Sequence, residues 1–138
     1  MADLNITAAQ VQPSTNAEFF ASTSEATITA GQVCYNNTAT SKINLADADN
    51  TSTTATVKGI ALNSASNLQP LKLQTAGTII IGASAAITAG TVFVLSDTAG
   101  GIKPATDLSA GDYVSIIGVG DDSDGIVLGI NNSGVEVT

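Results

Sequence analysis

Two acidic clusters hold the residue types most able to do chemistry in this chain. They are Asp47-Ala48-Asp49 and Asp121-Asp122-Ser123-Asp124-Gly125. Carboxylates set this close can hold a Ca2+ ion with help from backbone carbonyls. The second cluster carries part of an EF-hand spacing. With Gly125 as the required glycine, Asp122 and Asp124 fall in register, but Gly120 and Asn131 stand where acids are needed. The motif fails there, and no metal ligand is assigned. Asp also favours tight turns by bonding to nearby backbone, so both clusters read first as turns. A carboxylate pair that hydrolyses glycosides needs aromatic faces to hold a sugar. With no Trp, two Tyr and three Phe, the chain is poorly equipped for that.

Other chemistry is excluded more directly. The chain has no His, which removes Ser-His-Asp and Cys-His catalysis and His-ligated metals. It has no Arg, so the bidentate clamp for carboxylate or phosphate is missing. Cys34 is the single cysteine; it cannot pair within the chain, and its place in a β-rich run reads as a buried, inert thiol. The expectation is a protein that is not an enzyme, with no catalytic residue and no cofactor. The net charge is −8 and the four lysines are scattered. A nucleic-acid ligand is not expected, because cations must replace the counterions of phosphates, and an anionic membrane surface is a poor partner. The longest apolar stretch, Ile79 to Ile87, falls far short of the ~20 residues that span a bilayer. Met1-Ala2-Asp3-Leu4-Asn5 lacks the basic and apolar regions of a signal peptide.

The elements that must position these residues announce themselves by repetition. Ala26-Thr27-Ile28-Thr29-Ala30-Gly31-Gln32-Val33 returns as Ala85-Ala86-Ile87-Thr88-Ala89-Gly90-Thr91-Val92, and Leu108-Ser109-Ala110-Gly111-Asp112-Tyr113-Val114 is a weaker echo. Each reads as an apolar anchor, a tight turn with Gly, and a β-rich run. At the same offset, Ile43 falls on Ile102 and Val57-Lys58-Gly59-Ile60 on Ile116-Ile117-Gly118-Val119. After a two-residue gap in the loop Leu62–Asn67, Leu71 matches Leu128, Leu73 matches Ile130 and Gly77 matches Gly134. Residues 26–81 and 85–137 therefore read as two copies of one β unit.

No helical period survives along the chain. Short β-branched runs alternate with Gly, Asn, Asp and Ser turns, and 138 residues is the size of one domain. The expected fold is all-β: a small β-barrel or β-sandwich built from two similar units over 26–138, with an extended N-terminal arm over 1–25. Leu68 to Gln74, with Pro70 inside, reads as an edge strand, and Thr75-Ala76-Gly77 as a turn into Thr78-Ile79-Ile80-Ile81, the expected centre of the core. Asn131-Asn132-Ser133-Gly134 likewise reads as a turn into Val135-Glu136-Val137. Only 12% of residues are charged and mean hydropathy is +0.29. Either Thr, Ser and Asn supply the polar surface, or part of the apolar surface is covered by other subunits.

The arm stands outside the repeat. It carries spaced apolar residues, Leu4, Ile6 and Val11, and the only adjacent aromatic pair, Phe19-Phe20. On a strand these two rings point to opposite faces, so each needs its own cover.

The order of motifs from Val57 onward resembles a known family. Val57-Lys58-Gly59-Ile60-Ala61-Leu62, Leu71-Lys72-Leu73-Gln74-Thr75-Ala76-Gly77-Thr78-Ile79, Ala86-Ile87-Thr88-Ala89-Gly90-Thr91-Val92-Phe93-Val94-Leu95 and Ile117-Gly118-Val119 are similar to the pattern of the capsid cement, or decoration, proteins of tailed bacteriophages. The resemblance spans roughly 80 residues and rests on β-turn grammar. Gly120 departs from it, where the family often has Ala, and the arm has no match. The resemblance implies a structural virion protein, commonly a homotrimer. It would sit on the outside of a capsid assembled in the host cytoplasm and bridge major capsid protein subunits. Leu4, Ile6, Val11, Phe19 and Phe20 are the expected contacts with the coat or a sister subunit. The alternative is a Ca2+- or glycan-binding β adhesion module.

Overall fold

The computed structural model describes residues 3–122 and 124–138. Strand and bridge residues make up 45% of the described residues, and no α-helix occurs among them. The strands are β1 (Gln12–Pro13), β2 (Glu18–Thr23), β3 (Val33–Asn37), β4 (Lys42–Leu45), β5 (Gly59–Ala61), β6 (Pro70–Ile80), β7 (Val92–Leu95), β8 (Ile102–Pro104), β9 (Tyr113–Gly120) and β10 (Gly125–Glu136). They form one antiparallel sheet in the order β4-β3-β5-β6-β10-β9-β7-β8, with β1 and β2 also pairing on β6. The sheet curls into a half-barrel, so the fold is all-β and barrel-like.

The two halves of this order mirror each other. Among β3–β6 the sequence is second, first, third, fourth; among β7–β10 it is the same, and the two fourth strands, β6 and β10, lie side by side. The tight turns lie where the repeated phrase sits. Gln32 N donates to Thr29 O at 3.1 Å, Thr91 N to Thr88 O at 3.2 Å, and Asp112 N to Ser109 O at 3.1 Å. The third residue of each is a glycine at positive φ: Gly31 (95°), Gly90 (84°) and Gly111 (95°). A type II turn demands that conformation there, and glycine alone adopts it without strain.

Two expected turns are instead kinks inside long strands. β6 runs unbroken through Gly77 (φ 83°) and β10 through Gly134 (φ 69°). Partner strands hold both segments in the sheet, and the register shifts nearby, between Glu18 and Phe19 opposite β6 and between Asn132 and Glu136 on β10. This is bulge behaviour: positive φ at Gly bends the strand but pairing continues. The bend also switches faces. Leu71 and Leu73 of β6 pack in the smaller apolar cluster, and Ile79 packs in the larger one. Nor is β6 an edge; it has four partner strands. Pro70 is tolerated because it is the first residue, where a missing N–H costs least.

The larger core fills the curl with Val33, Ile60, Ile79, Ile81, Phe93, Leu95, Ile102, Ile117 and Ile126. The smaller one, with Ile28, Cys34, Ile43, Leu71 and Leu73, lies on the opposite face of β3 and β6. The curl closes through the loop after β7. Val33 N donates to Gly100 O at 2.9 Å, Gly100 N to Ala46 O at 2.7 Å, and Ala48 N to Ser96 O at 3.1 Å.

The N-terminal segment is extended but lies on the barrel. It begins at one end of the sheet, where Leu4 N donates to Ile102 O of β8 at 2.8 Å, and ends at the other, where Glu25 N donates to Ile43 O of β4 at 2.9 Å. Between them β1 and β2 cross β6. The segment thus bonds to each outermost strand at one point and covers part of both edges, where unpaired backbone would invite edge-to-edge aggregation.

Candidate interaction surface

The acidic clusters are built as turns. Asp122 Oδ1 accepts from Asp124 N at 3.0 Å, and Asp121 N donates to Gly125 O at 2.9 Å, which closes the β9–β10 hairpin. The amides of Asp124 and Gly125 hold the Asp122 carboxyl below its ordinary range, and the neighbouring Asp122 raises that of Asp124. In the first cluster, Asp49 N donates to Asp47 Oδ1 at 3.4 Å. Burial, with Asp49 and Asp97 nearby, raises the Asp47 carboxyl. Among the described residues, no three His, Cys, Asp or Glu side chains converge to hold a metal ion. Cys34 is fully buried, and burial pushes its thiol up to about 12.

One charged pair is buried and structural. Lys103 Nζ donates to Asp112 Oδ2 at 2.7 Å and lies 3.5 Å from Asp97 Oδ1. Lys103 is 4% exposed and Asp112 1%. Asp112 also accepts from Ser109 N at 3.0 Å and Ser109 Oγ at 3.2 Å, so the pair ties β8 to the turn that opens β9. Burial opposes both charges, but the partners outweigh it: the ammonium is raised and the Asp112 carboxyl lowered. Their spacing in sequence matches no motif, so only the fold reveals them.

The five expected contact residues divide into two groups. Leu4, Ile6 and Val11 are half-buried against the chain's own larger core. Ile6 presses on Gly31, where a Cβ would leave no room for it. Phe20 is half-buried against the smaller core, with Lys58 Nζ 4.5 Å from its ring centroid. Phe19 faces the other way, 45% exposed, with Lys72 Nζ 4.2 Å from its ring centroid. Of the five, Phe19 has the most surface free for a partner.

A second apolar feature lies in the other half. Val92 of β7 pairs with Val119 of β9, and Val119 pairs with Val127 of β10. They are 39%, 41% and 44% exposed. Scattered surface valines are ordinary, but these three stand in register across adjacent strands and form one row. The register shifts on both sides of Ile117 turn Val119 outward, and simple alternation along the sequence does not show that. Beyond the row lies the acidic β9–β10 turn.

Compared with known proteins, the chain matches no family model and none of the curated proteins. Among the described residues, no helix is long and apolar enough to cross a membrane.

Proposed function

We propose that this protein is a capsid cement protein: a β-body that binds the outside of a tailed-phage head and bridges coat subunits. The observation that carries this reading is the set of apolar groups left outward on the curled sheet. The Val92–Val119–Val127 row and Phe19 are exposed, although the N-terminal segment bonds to both end strands and the chain fills its own core. A protein that works by docking needs such a surface and a stiff body to transmit load. The motif order from Val57 onward supports the same reading. So does the proposed duplication of one β unit, to which the shared strand order of the two halves lends weight. Self-association, as a homotrimer, belongs to this proposal.

Phe19 is the residue we assign to coat or sister-subunit contact, with Phe20 beside it. Leu4, Ile6 and Val11 are half-buried, so a partner would meet only part of each side chain while the segment stays on its own barrel. The test is co-sedimentation of the purified chain with mature shells of the phage that carries it. Saturable binding is expected. No binding across micromolar concentrations would remove the proposal.

A further inference from the structure

Lys103 is the one buried lysine of the four, and more than a counter-ion surrounds it. Its Nζ lies 2.7 Å from Asp112 Oδ2 and 3.5 Å from Asp97 Oδ1. Lys103 and Asp112 are shut off from solvent, whereas Asp97 is 44% exposed. Ser109 N and Ser109 Oγ both donate to the same Asp112 oxygen, Oδ2. The site therefore joins an amine, a carboxyl carbon, two donors fixed on one carboxylate oxygen, and a second carboxylate open to water. An amide can be made from these parts alone.

The ion pair is the resting state of this contact. Burial works against both charges, and a proton passed from Nζ to a carboxylate leaves a neutral amine, the nucleophilic form, already in place. Holding the two reactants in contact replaces a bimolecular encounter by a unimolecular step. We propose that Lys103 and Asp112 condense after folding into an intramolecular amide, with loss of one water. Nζ adds to Asp112 Cγ. The charge that develops on Oδ2 is met by the Ser109 N–H and hydroxyl, which already point at it. Asp97 relays, one after the other, the two protons that the ammonium sheds, and Oδ1 departs with both as water. The Nζ–Cγ bond replaces the Cγ–Oδ1 bond, nothing is oxidised or reduced, and Asp97 ends as a carboxylate. The tie reaches past β7. It joins β8, the end strand that pairs with β7 through Ile102, Lys103 and Pro104, to the turn that opens β9. A sheet loaded at that end then cannot shed its last strand. Chains that have formed the bond lose the acid response of Asp112 and keep that of Glu25.

Intact-mass spectrometry of the full chain, purified and incubated in its folded state, reads the bond directly. A mass lower by one water is expected, unchanged in urea and after mild hydroxylamine. Hydroxylamine is included because Asp124-Gly125 can also lose water, as a succinimide, which that reagent opens. Trypsin leaves residues 73–138 in one piece, because their one lysine precedes a proline; fragmentation of this peptide should place the loss between residues 103 and 112. Lys103→Met should keep its full mass. That substitution also weakens the fold, so Asp97→Asn, at an exposed position, is compared as well. Circular dichroism checks that it is folded, and it should form the bond about tenfold more slowly or worse. A native chain that keeps its full mass overturns the proposal, as does a loss that maps elsewhere or is reversed by hydroxylamine. An Asp97→Asn chain that condenses as fast as the native one overturns the step as drawn. Shell binding is not read in these measurements, so the cement proposal stands or falls separately.

Discussion

Ala61 and Gly120 make the same pair of backbone hydrogen bonds in the two halves of the sheet. Ala61 N donates to Gln32 O at 2.9 Å and its carbonyl accepts from Gly31 N at 2.8 Å; Gly120 N donates to Thr91 O at 2.8 Å and its carbonyl accepts from Gly90 N at 2.9 Å. Each locks a third strand onto the type II turn of its own half. The halves differ in the room they leave. A Cβ at Gly120 would run into the Thr88 carbonyl oxygen and Ile87 Cγ2, which is the physical reason for glycine at this departure from the cement pattern.

Gly120→Ala is therefore expected to destabilise by about 1–3 kcal/mol through overpacking, which is roughly 3–10 °C in melting temperature for a domain of this size. Gly129→Ala is the control. Nothing lies within 4 Å of its Cβ position, and its effect should stay within about 0.5 kcal/mol. Thermal melts of the two variants decide between close approach and generic loss of glycine.

The N-terminal segment should contribute to the stability of the isolated protein. Ile6 is half-buried on the core and packs on Gly31. Ile6→Ala is expected to cost about 1–2 kcal/mol, less than the 2–5 of a fully buried site. Urea denaturation without any partner measures this. A segment that acts only in docking would leave the unfolding midpoint unchanged.

The Lys103–Asp112 pair predicts an asymmetric mutational pattern. Lys103→Met leaves Asp112 buried without its cation and should cost about 3–5 kcal/mol. Adding Asp112→Leu should not lower stability much further, because the stranded charge is then gone. Two additive losses in a double-mutant cycle would contradict a coupled pair.

Acid should weaken the fold at two named points. Burial works against the Asp112 and Glu25 carboxylates, but their partners hold both below the ordinary range. For Glu25 the partners are Thr40, Asn37 and Asn44, with Asn37 Nδ2 and Asn44 Nδ2 each 2.9 Å away, and they tie the end of the N-terminal segment to the β3–β4 hairpin. A carboxyl lowered by folding stabilises above its unfolded value of about 4 and loses that contribution as pH falls through the folded value. Lys103 is raised, so its share is present below its unfolded value and lost as pH rises through the folded one, above about 10.4. From these groups stability should be flat between about pH 5 and 9 and fall below about pH 4. Glu25→Gln should reduce the acid-side slope in pH-dependent melts.

The all-β class, the glycine turns and the core at Ile79 and Ile81 were legible in the sequence because they depend on local residue type. The strands through Gly77 and Gly134 were not. A glycine among polar residues has the same local signature in a turn and in a bulge, and only a paired neighbour separates them. Phe19 and Phe20 were legible as rings needing separate covers, but Lys72 and Lys58 come from distant strands. The valine row depends on the irregular register around Ile117, and the packing of Leu4, Ile6 and Val11 on the larger core depends on long-range contacts that their spacing in sequence does not show.

Cryo-electron microscopy of mature shells incubated with the purified chain tests the central claim most directly. The account predicts added density for a β-body of this size at symmetry-related positions on the outer surface, contacting more than one coat subunit, with Phe19 at a contact. Shells with no added outer density at saturating protein, or density touching a single coat subunit, would contradict it.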